Sequence, residues 1–151
     1  MNRWLAALLL AAAAPVLAQV STQLRVTGEV QHELKLGVDE LRGRTVVQER
    51  GYGGVRLVDL LREADIRQDA PHALRRTYVV ATATDGFQAV FSWGELFNTL
   101  IGKGVLIAFE RDGAPLRDGE GRITLVSLAD ERPGTRHVKW LQRIEVRRVS
   151  E

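Results

Sequence analysis

The sequence predicts one α+β domain of mainly antiparallel short strands with a few short helices. Eight stretches read as short strands, several of them by two-residue alternation, against two good helices that lie far apart in the chain. Strands joined by tight turns rather than by crossover helices pair antiparallel. No internal repeat, linker or break in composition divides the chain, and 151 residues with 45% hydrophobic and 26% charged side chains suit a single packed core.

Residues 1–18 read as an export signal. Asn2 and Arg3 give a positive start, and eleven apolar residues run from Trp4 to Ala14. Pro15 and Val16-Leu17-Ala18 then place small or modest side chains before a cut at Gln19. A spanning helix needs about 20 apolar residues, so this run predicts a cleaved signal and no membrane span in the mature protein. The domain is then 19–151, nearly neutral and free of cysteine, and the bacterial periplasm is its expected location.

Gln23 to Val30 alternates with Leu24, Val26, Gly28 and Val30 on one side and reads as a strand, as does His32 to Val38. Asp39 to Gly43 is a short helical turn, and Arg44 to Arg50 a third strand. Gly51-Tyr52-Gly53-Gly54, rich in a residue that tolerates unusual backbone angles, reads as a flexible turn. Leu57, Leu60, Leu61 and Ala64 then fall at helical spacing on one stripe, with Arg56, Asp59, Arg62 and Glu63 on the wet side. Thr77 to Thr84 and Phe87 to Phe91 flank Asp85-Gly86 and read as a hairpin. Ser92-Trp93-Gly94-Glu95 has the spacing of a capping box, opening a helix through Phe97. Gly104 to Glu110 is almost continuously apolar and reads as a strand buried on both faces. Arg111 to Pro115 turns the chain, and Arg122 to Leu128 and Arg143 to Val149 complete the strands.

Most catalytic chemistries find no support. The absence of cysteine excludes disulfides, thiolate catalysis and CxxC metal sites. His32, His72 and His137 are far apart, form no HxH or HxxxH pair and read as surface or loop residues. No G-x-S-x-G frames a serine, and the glycines at 51–54 lack the Lys-Ser/Thr of a phosphate loop. Charge runs and basic grooves that suit nucleic acid are absent. Trp93, Phe97, Tyr78, Phe87, Phe91 and Phe109 read as packing residues, and Asp85 as a turn residue.

The segment from Asp130 to Ile144 is the candidate site. Gly134-Thr135 forms a turn with exposed backbone amides, and Arg136 and Lys139 stand three apart. On one helical turn these two cations share a face and clamp one anion, with Trp140 and Leu141 anchoring the turn. The bland reading of the same residues is a solvated basic edge.

Gly134-Thr135-Arg136-His137-Val138-Lys139-Trp140-Leu141-Gln142-Arg143-Ile144 resembles the closing motif of the sulfite-oxidase-type molybdopterin-binding domain. Leu24 to Val30 is similar to that family's opening strand, Val38 to Leu41 to its short helix, and Gly54 to Leu61 to its G-V-x-L-x-x-L-L helix. Asp85-Gly86-Phe87 resembles its D-G-Y hairpin, and Leu106 to Leu116 its L-A-Y-x-x-N-G-x-P-L segment. The resemblance implies the family's fold, molybdopterin as the cofactor, and Arg136, Lys139, Thr135 and His137 as the cofactor-binding residues, the Arg and Lys holding the pterin phosphate. A pterin cleft of this kind requires Arg136, Lys139, Arg132 and Arg50 to meet in space.

Two departures qualify the resemblance. Catalytic members bind molybdenum through a cysteine placed before the G-V-x-L helix. Here Val47-Gln48-Glu49-Arg50 runs straight into Gly51, leaving Arg50 or Tyr52 beside the missing thiolate. The family's H-G-x-P-x-R segment is replaced by Asp118-Gly119-Glu120-Gly121-Arg122. Two functions stay open on this reading. One is a non-catalytic or cofactor-degenerate member that binds a small anionic ligand or a periplasmic partner protein in the inherited cleft. The other is a periplasmic oxidoreductase that retains the pterin.

Overall fold

The computed structural model describes residues 19–150; the expected signal at 1–18 lies outside the described residues. Among the described residues ten strands and three α-helices follow one another: β1 (Gln23–Gly28), β2 (Leu34–Gly37), α1 (Val38–Arg42), β3 (Val47–Glu49), β4 (Tyr52–Arg56), α2 (Leu57–Ala64), β5 (Thr77–Ala83), β6 (Gln88–Ser92), α3 (Trp93–Asn98), β7 (Val105–Arg111), β8 (Ala114–Pro115), β9 (Thr124–Ser127) and β10 (Leu141–Arg148). Short 3₁₀ turns at Ala73–Arg76, Ile101–Gly104 and Pro133–Arg136 fill the connections. One sheet runs β2-β1-β10-β5-β6 and the second β3-β4-β7-β8, with β9 on the other side of β7. Every named strand pair is antiparallel except β1 with β10, so the α+β expectation holds.

The alternation seen in the sequence is what builds the core. Leu24 and Val26 of β1, Val79 and Ala81 of β5, Phe91 of β6 and Ile144 and Val146 of β10 join Val55 of β4 and Val105, Ile107 and Phe109 of β7 in one cluster. Leu57, Leu60, Leu61 and Ala64 press the stripe of α2 into it, all with no exposed surface. The other face of the second sheet carries a smaller cluster of Tyr52, Leu106, Ala108, Leu116, Val126 and Leu128. β7 therefore feeds both clusters by alternate residues, which explains its unbroken apolar composition.

One expectation fails. Gly51 to Gly54 is not a flexible turn: Tyr52–Arg56 is a buried strand, and only Arg50 and Gly51 turn, with φ of 48° and 82°. That two-residue hairpin is the kind whose left-handed residues match strand twist. Gly54 answers a different demand, because a Cβ there would stand 2.3 Å from the Ile107 carbonyl oxygen, where the β4–β7 register shifts. The glycines permit close strand approach, a need that composition alone does not distinguish from flexibility.

The capped helix forms as read. Ser92 accepts the Glu95 amide at 3.0 Å, and the Glu95 carboxylate accepts the Ser92 amide at 3.2 Å. Trp93 and Phe97 stack at 5.3 Å, half-buried against the core.

Candidate functional site

Pro133–Arg136 is a single 3₁₀ turn, and His137 already leaves it in extended conformation with φ −82° and ψ 107°. Arg136 and Lys139 therefore do not share a helical turn, contrary to the expectation. The turn is four residues long, with Pro133 at its start and His137 as its extended cap. Nor is its amide array open. The Thr135 N–H and hydroxyl both donate to the Arg132 carbonyl, at 3.2 and 3.0 Å, and the His137 N–H donates to Gly134 at 3.4 Å.

Arg136 points inward to the sheet edge. Its Nε donates to Asp130 at 2.8 Å and its Nη2 to the other oxygen of the same carboxylate. Its Nη1 donates to Glu95 at 2.7 Å and to the Val90 carbonyl of β6 at 3.4 Å. The guanidinium carbon lies 4.2 Å from the centroid of the Phe91 ring. Glu95 thus has two duties, one oxygen capping α3 and the other holding Arg136. The hydrogen bonds from Arg136 hold the Asp130 carboxyl below the usual carboxylate range against the opposing effect of burial, and Asp130 in turn raises the arginine. Two carboxylates match one cation, so this arginine is built into the fold.

Lys139 is exposed and makes no ion pair or hydrogen bond among the described residues. With Asp85, Phe87, Gly134, His137 and Trp140 it lines a surface pocket of about 280 Å³. Arg50, Arg132 and Arg136 do not line it: Arg50 sits in the β3–β4 turn and Arg132 is exposed ahead of the 3₁₀ turn. The walls are pinned. Trp140, at φ 50°, donates its backbone N–H to Glu120 at 2.9 Å and its indole N–H to Asp118 at 2.8 Å. Its carbonyl accepts the Thr84 amide at 3.0 Å, tying this segment to the end of β5. Gly121 makes the approach feasible, since a Cβ there would lie 2.7 Å from Trp140 Cα. The Asp118–Arg122 segment is therefore the seat of Trp140. Across the pocket, Asp85 accepts the Phe87 amide at 3.0 Å, as expected of a turn residue. Phe87 itself is 46% exposed and belongs to the pocket wall rather than to the core predicted for it.

His137 is half-buried, not a plain surface residue. Its Nε2 lies 3.1 Å from the Thr124 hydroxyl, whose single proton is given to the Val138 carbonyl at 2.9 Å. The hydroxyl can then only accept from the imidazole, so Nε2 carries the hydrogen. Burial pushes the His137 pKa down, with Glu120 pulling the other way and Lys139 and Arg111 adding to the fall. The Tyr52 ring meets the imidazole edge-on at 6.3 Å. Arg111 donates to the Tyr52 hydroxyl at 2.7 Å and to Glu120 at 3.3 Å, closing a polar cluster behind the histidine.

Among known families, residues 43–151 match the oxidoreductase molybdopterin binding domain. This chain belongs to that family. Among solved structures, the crystal structure of the sulfane dehydrogenase SoxCD from Paracoccus pantotrophus superposes with a TM-score of 0.64 at 19% identity, over 85% of this chain. The chain spans 39% of the length of that protein, so the likeness is one of fold. No curated protein matches the chain.

As a molybdopterin-domain protein, the chain has an unusual donor set. It contains no cysteine, and two residues, Arg50 and Gly51, join β3 to β4 where the thiolate is expected. The arginine of the closing motif is neutralised, and a carboxylate, Asp85, stands in the pocket of the lysine. No group of three or more His, Asp or Glu side chains among the described residues is placed to hold a metal ion. The thiolate that catalytic members place before the G-V-x-L helix therefore has no counterpart among the residues of this chain. Of the site residues that sequence reading missed, Glu95 is visible only as a helix cap and Asp130 only as the first residue of the candidate segment. Nothing local reports that both reach Arg136.

Proposed function

We propose that this protein is a cofactor-free binding module on the molybdopterin-domain fold, which takes a small anionic ligand at Lys139. The observation that carries this reading is the contrast between the two cations of the closing motif. Arg136 is consumed by Asp130 and Glu95, whereas Lys139 stands unpaired in a pocket whose walls are already fixed. Missing thiolate chemistry supports the non-catalytic half, since a soft sulfur ligand has no substitute among the residues of the β3–β4 turn. Export to the periplasm belongs to the same proposal and rests on the pattern of residues 1–18. No helix among the described residues is long and apolar enough to cross a membrane.

The test is to produce the full chain in a host that makes molybdopterin, purify it from the periplasm, and measure molybdenum and oxidised-pterin fluorescence. Neither is expected. Titration with inorganic phosphate should show binding that Lys139→Met weakens about tenfold, or about 1.4 kcal/mol. Stoichiometric molybdenum or pterin overturns the proposal in favour of a cofactor-retaining oxidoreductase.

A further inference from the structure

The pocket at Lys139 offers more than a positive charge. His137 has its Nε2–H committed to Thr124, and its Nδ1 has no partner among the described residues and is not sealed from solvent. A neutral imidazole in this tautomer presents Nδ1 as a lone pair, an acceptor and not a donor. Its neutrality agrees with the downward push of burial on this residue. The remaining walls are Gly134, the Asp85 carboxylate, which accepts the Phe87 amide, the half-exposed Phe87 ring and the Trp140 indole, whose one N–H is spent on Asp118. Aromatic walls with their polar handles satisfied elsewhere favour a flat apolar guest. At about 280 Å³ the space suits a molecule of one or two rings.

We infer that this pocket binds a planar aromatic acid oriented by two contacts of opposite polarity, Lys139 to the acid group and His137 Nδ1 to an O–H or N–H on the ring. This assignment rests on the reading of Lys139 as an anion site and adds the class of ligand. A phosphate alone satisfies only the lysine and leaves the aromatic walls and the Nδ1 acceptor unused. His137 thus orients the ligand by accepting a hydrogen bond, and does not assist Lys139 in binding charge.

The experiment titrates the full chain at pH 7.5 with inorganic phosphate, benzoate, cyclohexanecarboxylate and the three hydroxybenzoate isomers. At least one hydroxybenzoate should bind threefold or more tighter than benzoate, and benzoate threefold or more tighter than cyclohexanecarboxylate. His137→Phe should bring the preferred hydroxybenzoate and benzoate within twofold of each other. The comparison among probes on the unaltered chain stands even if that variant fails to fold. Equal affinity for benzoate and all three hydroxybenzoates overturns the role of His137, and equal affinity for benzoate and cyclohexanecarboxylate overturns the aromatic requirement. Binding of phosphate without any benzoate overturns this inference and leaves the anion site standing. If neither phosphate nor any of the acids binds, the anion-site reading itself is wrong.

Discussion

Replacing Arg136 separates a structural arginine from a ligand-binding one. The side chain is 21% exposed, and its carboxylate partners Asp130 and Glu95 are 10% and 29% exposed. Arg136→Met keeps the stem over Phe91 but strands two partly buried carboxylates. Removing one member of a fully buried ion pair costs about 3 to 5 kcal/mol. Because Glu95 can re-solvate and keeps its capping bond, the lower end applies, roughly 3 kcal/mol. For a domain of this size that lowers Tm by roughly 10 °C. Urea unfolding of the variant and the unaltered chain at pH 7 checks the value. The pH dependence adds a sign. In the native chain the Asp130 pKa lies below its unfolded value of about 3.9, so its stabilisation is complete above that value and lost as pH falls through the folded pKa. In the variant the Arg136 contacts are gone and burial raises that carboxyl against the smaller opposing effect of Ser127, so acidification from about pH 6 to 4 relieves the variant and narrows the gap between the two proteins. Asp130→Asn added to Arg136→Met should recover part of the loss at pH 7 for the same reason. A cost below about 0.5 kcal/mol at pH 7, typical of an exposed cation, or a gap that widens on acidification would refute the clamp.

His137, its pKa depressed by burial, resists protonation when folded but not when unfolded, so its contribution is complete above about pH 6.5 and declines as pH falls below it. His137→Phe should flatten the stability profile between about pH 5 and 6.5 in urea melts, while an unchanged slope assigns that dependence elsewhere. Gly54→Ala forces a methyl against the Ile107 carbonyl and should destabilise by about 2 kcal/mol or more, whereas Gly94→Ala in α3 meets nothing within 4 Å and should stabilise by a few tenths to about 1 kcal/mol. Equal effects at the two glycines, read by thermal unfolding, would show that strand approach is not what Gly54 serves.

Sequence by itself determined the elements whose signal is local. The stripe of α2, the Ser92–Glu95 cap, the Asp85–Gly86 hairpin and the two-faced strand β7 are written in spacings of two to four residues, where side-chain direction follows directly from backbone period. The molybdopterin-domain fold was legible because segments from Leu24 to Val30, Gly54 to Leu61, Asp85 to Phe87, Leu106 to Leu116 and Gly134 to Ile144 resemble the family's in the same order along most of the chain. Tertiary structure alone decided how the closing motif is used. Glu95 lies 41 residues from Arg136, and the seat of Trp140 at Asp118 lies 22 residues away, so no periodicity reports either contact. Gly51 to Gly54 shows the same limit, since a glycine needed for a left-handed turn and one needed for close strand packing are alike in sequence and differ only in what stands opposite. The charge on Arg136 and Lys139 was readable from the chain, but its availability was not. One is cancelled by acids from the first turn of α3 and from the loop before the 3₁₀ turn, and the other is left open beside two aromatic rings.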